Sequence, residues 1–478
     1  MTLLNQLNVL ESAGLVHSAQ TPPRAEYLFR HAIIQEAAYA TVLKADRRVL
    51  HCAVGQAIET SLATRLDEFA STLAFHYERG QDWAAALHWL SRAADRAYAQ
   101  WALFEAIDLY QRALAVLKQL PDRAAAEFDL RFKLAQAMMF AGIARYETQA
   151  EFDRALALAL TPHQQAEVYY QMGRLLHIFT SSDLAAAEKY YTQSLELLSG
   201  HQQDEWYCTV LAYLGYLYRY QQRTAQSIET LERALELAKQ IHSIERQADT
   251  HIFLSGAYLD ADREDDALSA GLRGYELAKE LGNLELIGRA HSFCTSIYLS
   301  RAYAGRGSAD EALPHINEMR RHGREYGTAV LAGFGAQGLA AYHELEGDRS
   351  AALENWRESV DIWLRSRAPT RAAWANSKCG QMLLELGSRP AALEAFELVK
   401  QNLGPVQLDH AEFYIGLAYA GAGFDQEACA HLQTAFDTTD SLDLRRSWVN
   451  LLRTDPEFTQ HRSLPGVAAV LDRVEVRP

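Results

Sequence analysis

Five acidic residues crowd one short stretch, Asp260, Asp262, Glu264, Asp265 and Asp266, and clustered carboxylates are a usual way to hold a hard divalent cation. The stretch lacks the loop glycine and closing glutamate of an EF-hand, so a solvated turn between helices accounts for it. A second concentration of charge sets Arg24, Arg30, Lys44, Arg47 and Arg48 against Glu26, Glu36 and Asp46, a local surplus of +2 from five basic and three acidic residues. Such a patch can meet DNA phosphates. The five cysteines, Cys52, Cys208, Cys294, Cys379 and Cys429, stand far apart with no Cys-x-x-Cys, which points to buried free thiols instead of a disulfide framework or zinc ribbon. The 17 histidines include no His-Glu-x-x-His, and neither Gly-x-Ser-x-Gly nor Gly-x-x-x-x-Gly-Lys-[Ser/Thr] occurs. No nucleophile elbow and no phosphate cradle are therefore expected, and the sequence predicts no catalytic residue, no metal and no cofactor.

The elements behind these residues must come from a chain of 478 residues, 49% of them hydrophobic and only 11 of them proline. That composition excludes disordered and collagen-like chains and allows either several domains or one elongated array. The net charge is −15, from 46 Lys+Arg and 61 Asp+Glu. Such acidity argues against general attraction to nucleic acid or anionic lipid. No apolar run reaches the ~18 residues of a membrane span, and the N-terminus lacks the cationic start of a signal peptide. A cytoplasmic location is expected.

A repeat organises most of the chain. Small residues that open a second helix recur at Ser227, Ala267, Ala312, Ala352, Ala392 and Ala428, at intervals of 40, 45, 40, 40 and 36. Each is preceded by an apolar segment at helical spacing that carries its own small residue, as at Leu214-Gly215, Leu254-Ser255, Cys379-Gly380 and Ile415-Gly416. Small residues at both places let two helices approach closely, and larger side chains fill what remains. Gly80, Gly347, Gly387 and Gly423 stand where the first helix must end, in the left-handed conformation that glycine takes without strain. Upstream the frame is looser, with Met172-Gly173 and Ala187 in a longer unit and Leu73-Ala74, Tyr77 and Ala86 in the first.

These residues resemble the tetratricopeptide repeat over roughly residues 66–436. The resemblance implies an all-α fold, a right-handed α-solenoid of about ten hairpins whose ~40-residue period exceeds the usual repeat through longer helices. It also implies a concave groove lined by the second, fifth, ninth and twelfth residues of each first helix. In this chain those positions yield Tyr170, Arg174 and His177 from one unit, then Tyr216, Arg219 and, one residue on, Tyr220. Arginine pairs bidentately with carboxylates and tyrosine offers apolar area with a polar tip, so an acidic or C-terminal peptide suits the patch. Tyrosines packed between hairpins are the competing reading.

The ends depart from the repeat. Leu3, Leu4, Leu7 and Leu10 form an amphipathic pattern closed by Gly14; two short strands around Thr21-Pro22-Pro23 and a long helix from about Ile33 to Glu59 follow. The run from Tyr27 to Tyr39, with Arg47-Arg48, His51, His76-Tyr77 and Ala93 to Ala97, resembles the winged helix and following repeats of bacterial STAND-type ATPases, often fused to class III nucleotide cyclases. The resemblance makes His31 a contact for nucleotide phosphate in an intact ATPase, although Ala32 replaces the acidic neighbour common there. Trp448 and Leu451 to Phe458 resemble the capping tail of such arrays. Boundaries are thus expected at 1–65 for a winged-helix-like remnant, 66–436 for the repeats and 437–478 for the cap. The expected role is a non-catalytic interaction or sensor scaffold with a protein or peptide in its groove and an upstream ATPase or cyclase module as a second partner. A transcription regulator using the winged helix on DNA is the alternative, weakened because Leu3 to Glu11 carries no Lys or Arg. An enzyme with an unrecognised groove site ranks third.

Overall fold

The computed structural model describes residues 3–20, 26–100, 102–121, 124–141, 143, 145–179, 183–200, 204–325, 329–366, 368–404, 408–439, 445, 448, 449 and 452. The chain divides into two compact units, residues 1–138 and 139–478.

The first unit opens with α1 (Leu3–Ser12) and an antiparallel hairpin of β1 (Val16–Gln20) and β2 (Glu26–Phe29), in which Val16 faces Phe29. The expected turn Thr21-Pro22-Pro23, and Arg24 after it, lie outside the described residues. The single helix expected over 33–59 is two, α2 (Ala32–Thr41) and α3 (Lys44–Ser61), because Val42 and Leu43 hold extended backbone with ψ of 132 and 146°. Thr41 helps end α2 by returning its hydroxyl to the Ala38 carbonyl at 2.7 Å, which satisfies a last-turn acceptor. Then come α4 (Ala70–Gly80), α5 (Trp83–Ala99), α6 (Leu103–Leu117) and α7 (Ala124–Phe140). Gly80 is not the left-handed stop expected of it: it ends α4, and Gln81 takes the positive φ of 59°. Glycine is needed at 80 because a Cβ there would run into the Cys52 Sγ of α3.

The second unit takes in the last two residues of α7, Met139 and Phe140, then α8 (Arg145–Leu158), and continues as seven helical hairpins. These pair α9 (Pro162–Arg174) with α10 (Leu184–Leu197), α11 (Glu205–Tyr220) with α12 (Thr224–Gln240), and α13 (Ile244–Asp260) with α14 (Glu264–Leu281). They continue with α15 (Leu284–Tyr303) and α16 (Leu313–Glu325), α17 (Ala329–Leu345) and α18 (Arg349–Arg365), α19 (Pro369–Glu385) and α20 (Arg389–Leu403), and α21 (Leu408–Gly421) and α22 (Asp425–Thr438). Ser227, Ala267, Ala312, Ala352, Ala392 and Ala428 are each 0% exposed. The fold is all-α, a tetratricopeptide-like helical-repeat solenoid.

Local chemistry starts and stops these helices where the repeat requires. The side chains of Asp204, Ser243, Asn283 and Asp348 cap α11, α13, α15 and α18 by accepting first-turn amides. Between the helices of a hairpin, Gly347, Gly387 and Gly423 turn the chain with φ of 80, 76 and 78°. Gln222 and Asp262 do the same work at 60 and 57°, a conformation that costs a side chain about 1–2 kcal/mol. Within each hairpin the helices meet at the small residue. A Cβ on Gly215 would sit 2.8 Å from Leu231 Cγ, and one on Gly416 would sit 2.8 Å from Leu432 Cγ.

Successive hairpins are tied by ion pairs about one repeat apart in sequence: Arg223 with Glu188 (2.8 Å), Arg219 with Asp260 (2.6 Å), Arg320 with Glu358 (2.8 Å) and Arg389 with Glu427 (2.6 Å). At the far end Trp448 stacks on Phe413 with centroids 4.5 Å apart, and Leu452 is buried. The other cap residues named from sequence, Leu451, Arg453, Asp455, Pro456 and Phe458, lie outside the described residues.

The close approach at Gly215 supplies a test. Replacing it with valine removes glycine's helix penalty of about 1 kcal/mol but drives two methyls into Leu231. The overlap dominates, so Gly215→Val is expected to destabilise the second unit by about 1–3 kcal/mol. Urea denaturation followed by circular dichroism measures it, and Leu231→Ala in the same chain should restore part of the loss.

Candidate functional site

First helices of successive hairpins touch one another, α9 with α11, α11 with α13, α13 with α15 and α15 with α17. They form one layer of the second unit, and the six residues expected at the groove all lie on α9, the turn after it, or α11. Tyr170 is 4% exposed and meets Trp206 and Tyr213 edge-on, at 5.5 and 5.2 Å. Arg174, one turn along, lies over Tyr170, Tyr213 and Phe140 at 5.6, 5.3 and 5.5 Å and donates to Gln171 Oε1 at 3.2 Å. The guanidinium is thus embedded in ring faces, an arrangement that suits its delocalised charge.

His177 lies in a π-helical turn, Leu175–Phe179, and is 0% exposed. Its Nδ1 is 3.4 Å from the Tyr191 hydroxyl, and its ring meets Tyr220 and Tyr216 at 4.8 and 5.3 Å. Burial, followed by the charges of Arg174 and Arg219, pushes its pKa down to about 3. It is neutral at ordinary pH. Tyr216 stacks on Phe253 at 4.3 Å and shares a 3.0 Å hydroxyl hydrogen bond with Tyr220. Arg219 grips Asp260 at two points, Nε to Oδ2 at 2.6 Å and Nη2 to Oδ1 at 3.1 Å. Burial opposes that charge, and Asp260 together with Tyr216 and Tyr220 more than offsets the opposition, so the pKa of Arg219 is raised.

The six residues therefore gather in one cluster, with a difference from the sequence frame. Tyr170, His177 and Tyr216 are buried and fill the space between hairpins, while Arg174, Arg219 and Tyr220 are half-buried. Bulky rings at positions facing the next first helix are drawn into that interface because leaving them in water forfeits their burial.

Several members of the cluster were not found by sequence reasoning. Asp249 is 5% exposed between Arg246 (3.4 Å) and Arg289, and Arg289 also reaches Glu285 at 2.7 Å. Phe293 lies beneath Arg219 at 6.0 Å. Asp249 was within reach of the frame, being the second residue of the unit that contains Ser255. Arg289 was not, because it falls in helical residues ahead of the frame's first position.

The acidic cluster is a largely solvated turn between α13 and α14 whose carboxylates meet arginines. Asp260 pairs with Arg219, Glu264 with Arg306, Asp265 with Arg301 (3.4 Å) and Asp266 with Arg263 (2.8 Å), and Asp262 is the left-handed turn residue. Among the described residues no group of three His, Cys, Asp or Glu can hold a metal. His31 is exposed at the start of α2, its carbonyl accepting from Ile34 at 3.0 Å and its side chain making no cap. A recess of about 310 Å³ lined by His251, Tyr258, Asp266 and Arg273 lies apart from the six residues.

No family model matches the chain. An uncharacterized protein of Rhizobium meliloti is 31% identical over 127 residues, 26% of this chain and 12% of that protein, so the match spans about an eighth of the relative's length. Among solved structures, the Rap protein complexed with Competence and Sporulation Factor covers 81% of this chain and 96% of its own at 14% identity and a TM-score of 0.50. The apo quorum sensor NprR from B. thuringiensis covers 72% of this chain and 97% of its own at 12% identity and a TM-score of 0.43. A STAND protein with a tetratricopeptide repeat sensor from Pyrococcus horikoshii covers 91% of this chain and 58% of its own at 13% identity and a TM-score of 0.45. The likeness to Rap is one of fold.

His177 makes the cluster pH-sensitive in a definite direction. Its pKa is about 3 when folded against 6.5 when released, so the unfolded chain binds the extra proton between those values. Its contribution is complete above pH 6.5 and is lost as pH falls toward 3, by up to about 1.4 kcal/mol per pH unit. His251 and His291, both lowered to about 4, act in the same sense. His177→Phe should therefore flatten the pH dependence of the urea midpoint on the acid side of 6.5; an unchanged slope would show that His177 is not shielded.

Proposed function

We propose that the chain is a non-catalytic interaction arm, a sensor scaffold whose second unit receives a peptide segment of a partner on the face built by its first helices. The observation that carries this reading is the composition of that face. Half-buried Tyr220 and Phe293 lie beside Arg219 over a tier of stacked rings, offering amphipathic area of the kind that dominates peptide interfaces. The Rap structure of similar fold holds Competence and Sporulation Factor, which favours a ligand-binding use of this architecture.

The finer reading is that the arm belongs to a signal-transduction ATPase or a cyclase-associated regulator and relays ligand binding to it. Support comes from the first unit. Helix α2 buries none of its side chains, and Ile33, Leu43 and Val49 are 79, 72 and 69% exposed. Exposed apolar side chains recurring along one stretch of chain favour its use as a contact for a further module. Ligand binding would act through different affinities for two arrangements of the array. His31 is then the residue to examine for nucleotide contact once the ATPase module is joined to the chain.

The test is a peptide array probed with the labelled full chain, followed by titration of the peptides that bind. Tyr220→Ala with Phe293→Ala should weaken them by about tenfold or more, and because both rings also pack against the core, thermal melts run beside the titration confirm that the variant is folded at the temperature used. Affinity retained within about twofold would move the ligand off this face.

A further inference from the structure

We propose that Arg371 is the anchoring cation of this face and that it pairs with a carboxylate of the bound peptide. The carboxylate is either an acidic side chain or the peptide's C-terminus. This inference rests on the peptide-binding reading and adds the residue and the chemistry that select the ligand.

Arg174 donates to the Gln171 amide oxygen among its ring faces, and other guanidiniums on these first helices already hold carboxylates. Arg219 holds Asp260, Arg289 holds Asp249 and Glu285, and Arg246 reaches Asp249 and Glu205. Lys378, the next cation along α19, donates to Gln381 at 3.2 Å and lies 3.7 Å from Glu344. Arg371 differs. Among the described residues it has no carboxylate within 4.0 Å and no hydrogen bond, and its guanidinium lies over the rings of Phe334 at 4.6 Å and Trp363 at 4.9 Å. Trp363 is 1% exposed, so this platform is fixed by the core. A guanidinium held by ring faces keeps its N–H donors at the edge, the geometry that takes a carboxylate bidentately.

Position adds to chemistry. The Arg371 side chain is exposed to solvent, yet the surrounding chain depresses its pKa by burial, and Tyr220 and Tyr216 of α11 act on its charge. Helices α11 and α19 are not packing neighbours as consecutive helices are. Tyr216 and Tyr220 belong to a hairpin four earlier than that of Arg371, and their action on its charge puts the guanidinium toward the same face of the unit as α11. A cation in such a place lacks both full hydration and a counter-charge, which makes an incoming carboxylate favourable. The net charge of −15 disfavours a long polyanion and leaves a single carboxylate as the suited anion.

The experiment uses the full chain and an array of acidic peptides, each paired with its Gln or Asn counterpart and with its C-terminal amide. Wild type should prefer the acids, and the two arms show whether the side chain or the terminus is read. Arg371→Gln, which keeps a planar group over the rings, should weaken the acids by about tenfold to a hundredfold and leave the amides unchanged. Arg371→Lys should keep part of the preference, and thermal melts check that both variants fold. Peptides bound without acid preference, or a preference that survives Arg371→Gln, would overturn the assignment while leaving peptide binding intact. No peptide bound at all would overturn both readings. Binding of a mixed-sequence oligonucleotide in place of peptides would overturn the carboxylate ligand.

Discussion

Everything in the second unit depends on how closely two helices of one hairpin can approach. The approach is set where a glycine, alanine or serine of the first helix meets a side chain of the second, as Gly215 meets Leu231 and Gly416 meets Leu432. Neither glycine lies in a left-handed conformation, so no backbone geometry demands glycine there; the demand is for space. With each hairpin closed at that distance, successive hairpins present a similar backbone outline to one another. The hairpins can then stack, and a side chain at a given repeat position faces the same neighbours each time.

The space between stacked hairpins is filled by whatever the inter-repeat positions supply, and two chemistries recur. Rings fill the volume, as where Tyr213 and Tyr216 of α11 pack on Phe253 of α13 at 5.1 and 4.3 Å. Ion pairs about one period apart fix the register, as between Arg219 and Asp260 or Arg389 and Glu427. Each such pair is worth only about 0–1 kcal/mol where solvent reaches it. Their value lies in geometry: a hairpin shifted along its neighbour would lose a whole row of them, because the spacing of donors and acceptors matches the spacing of the repeat.

The repeat was legible in the sequence because its cause is local and periodic. Small residues at a period near 40 appear as a pattern, and all six that open second helices are buried as the pattern requires. The tyrosine and arginine cluster was legible as a set of residues but not in its burial. Helical spacing shows that Tyr170, His177 and Tyr216 face the next hairpin, but how tightly that hairpin closes over them depends on Phe253 and Trp206, which lie tens of residues away in sequence. The acidic stretch was read as a solvated turn, and its ion pairs stayed hidden because Arg219, Arg301 and Arg306 reach it from other units. The break at Val42 and Leu43 has no signature in the sequence, since nothing in that apolar run resembles a conventional stop.

Arg371 shows most clearly where periodic reasoning stops. Its electrostatic relation to Tyr216 and Tyr220 crosses four hairpins, and a stack of repeats brings such distant units toward one face only through small rotations accumulated between neighbours. No single interface specifies that separation, so no single motif reports it. The same accumulation makes the separation responsive. A small change repeated at each interface between α11 and α19 adds up over the four hairpins, and contacts as weak as half-exposed ion pairs offer little resistance to it. A molecule held between Arg371 and the Tyr216–Tyr220 pair would therefore bear on every intervening interface at once, which is how a modest binding energy at one place can bias the arrangement of the whole unit.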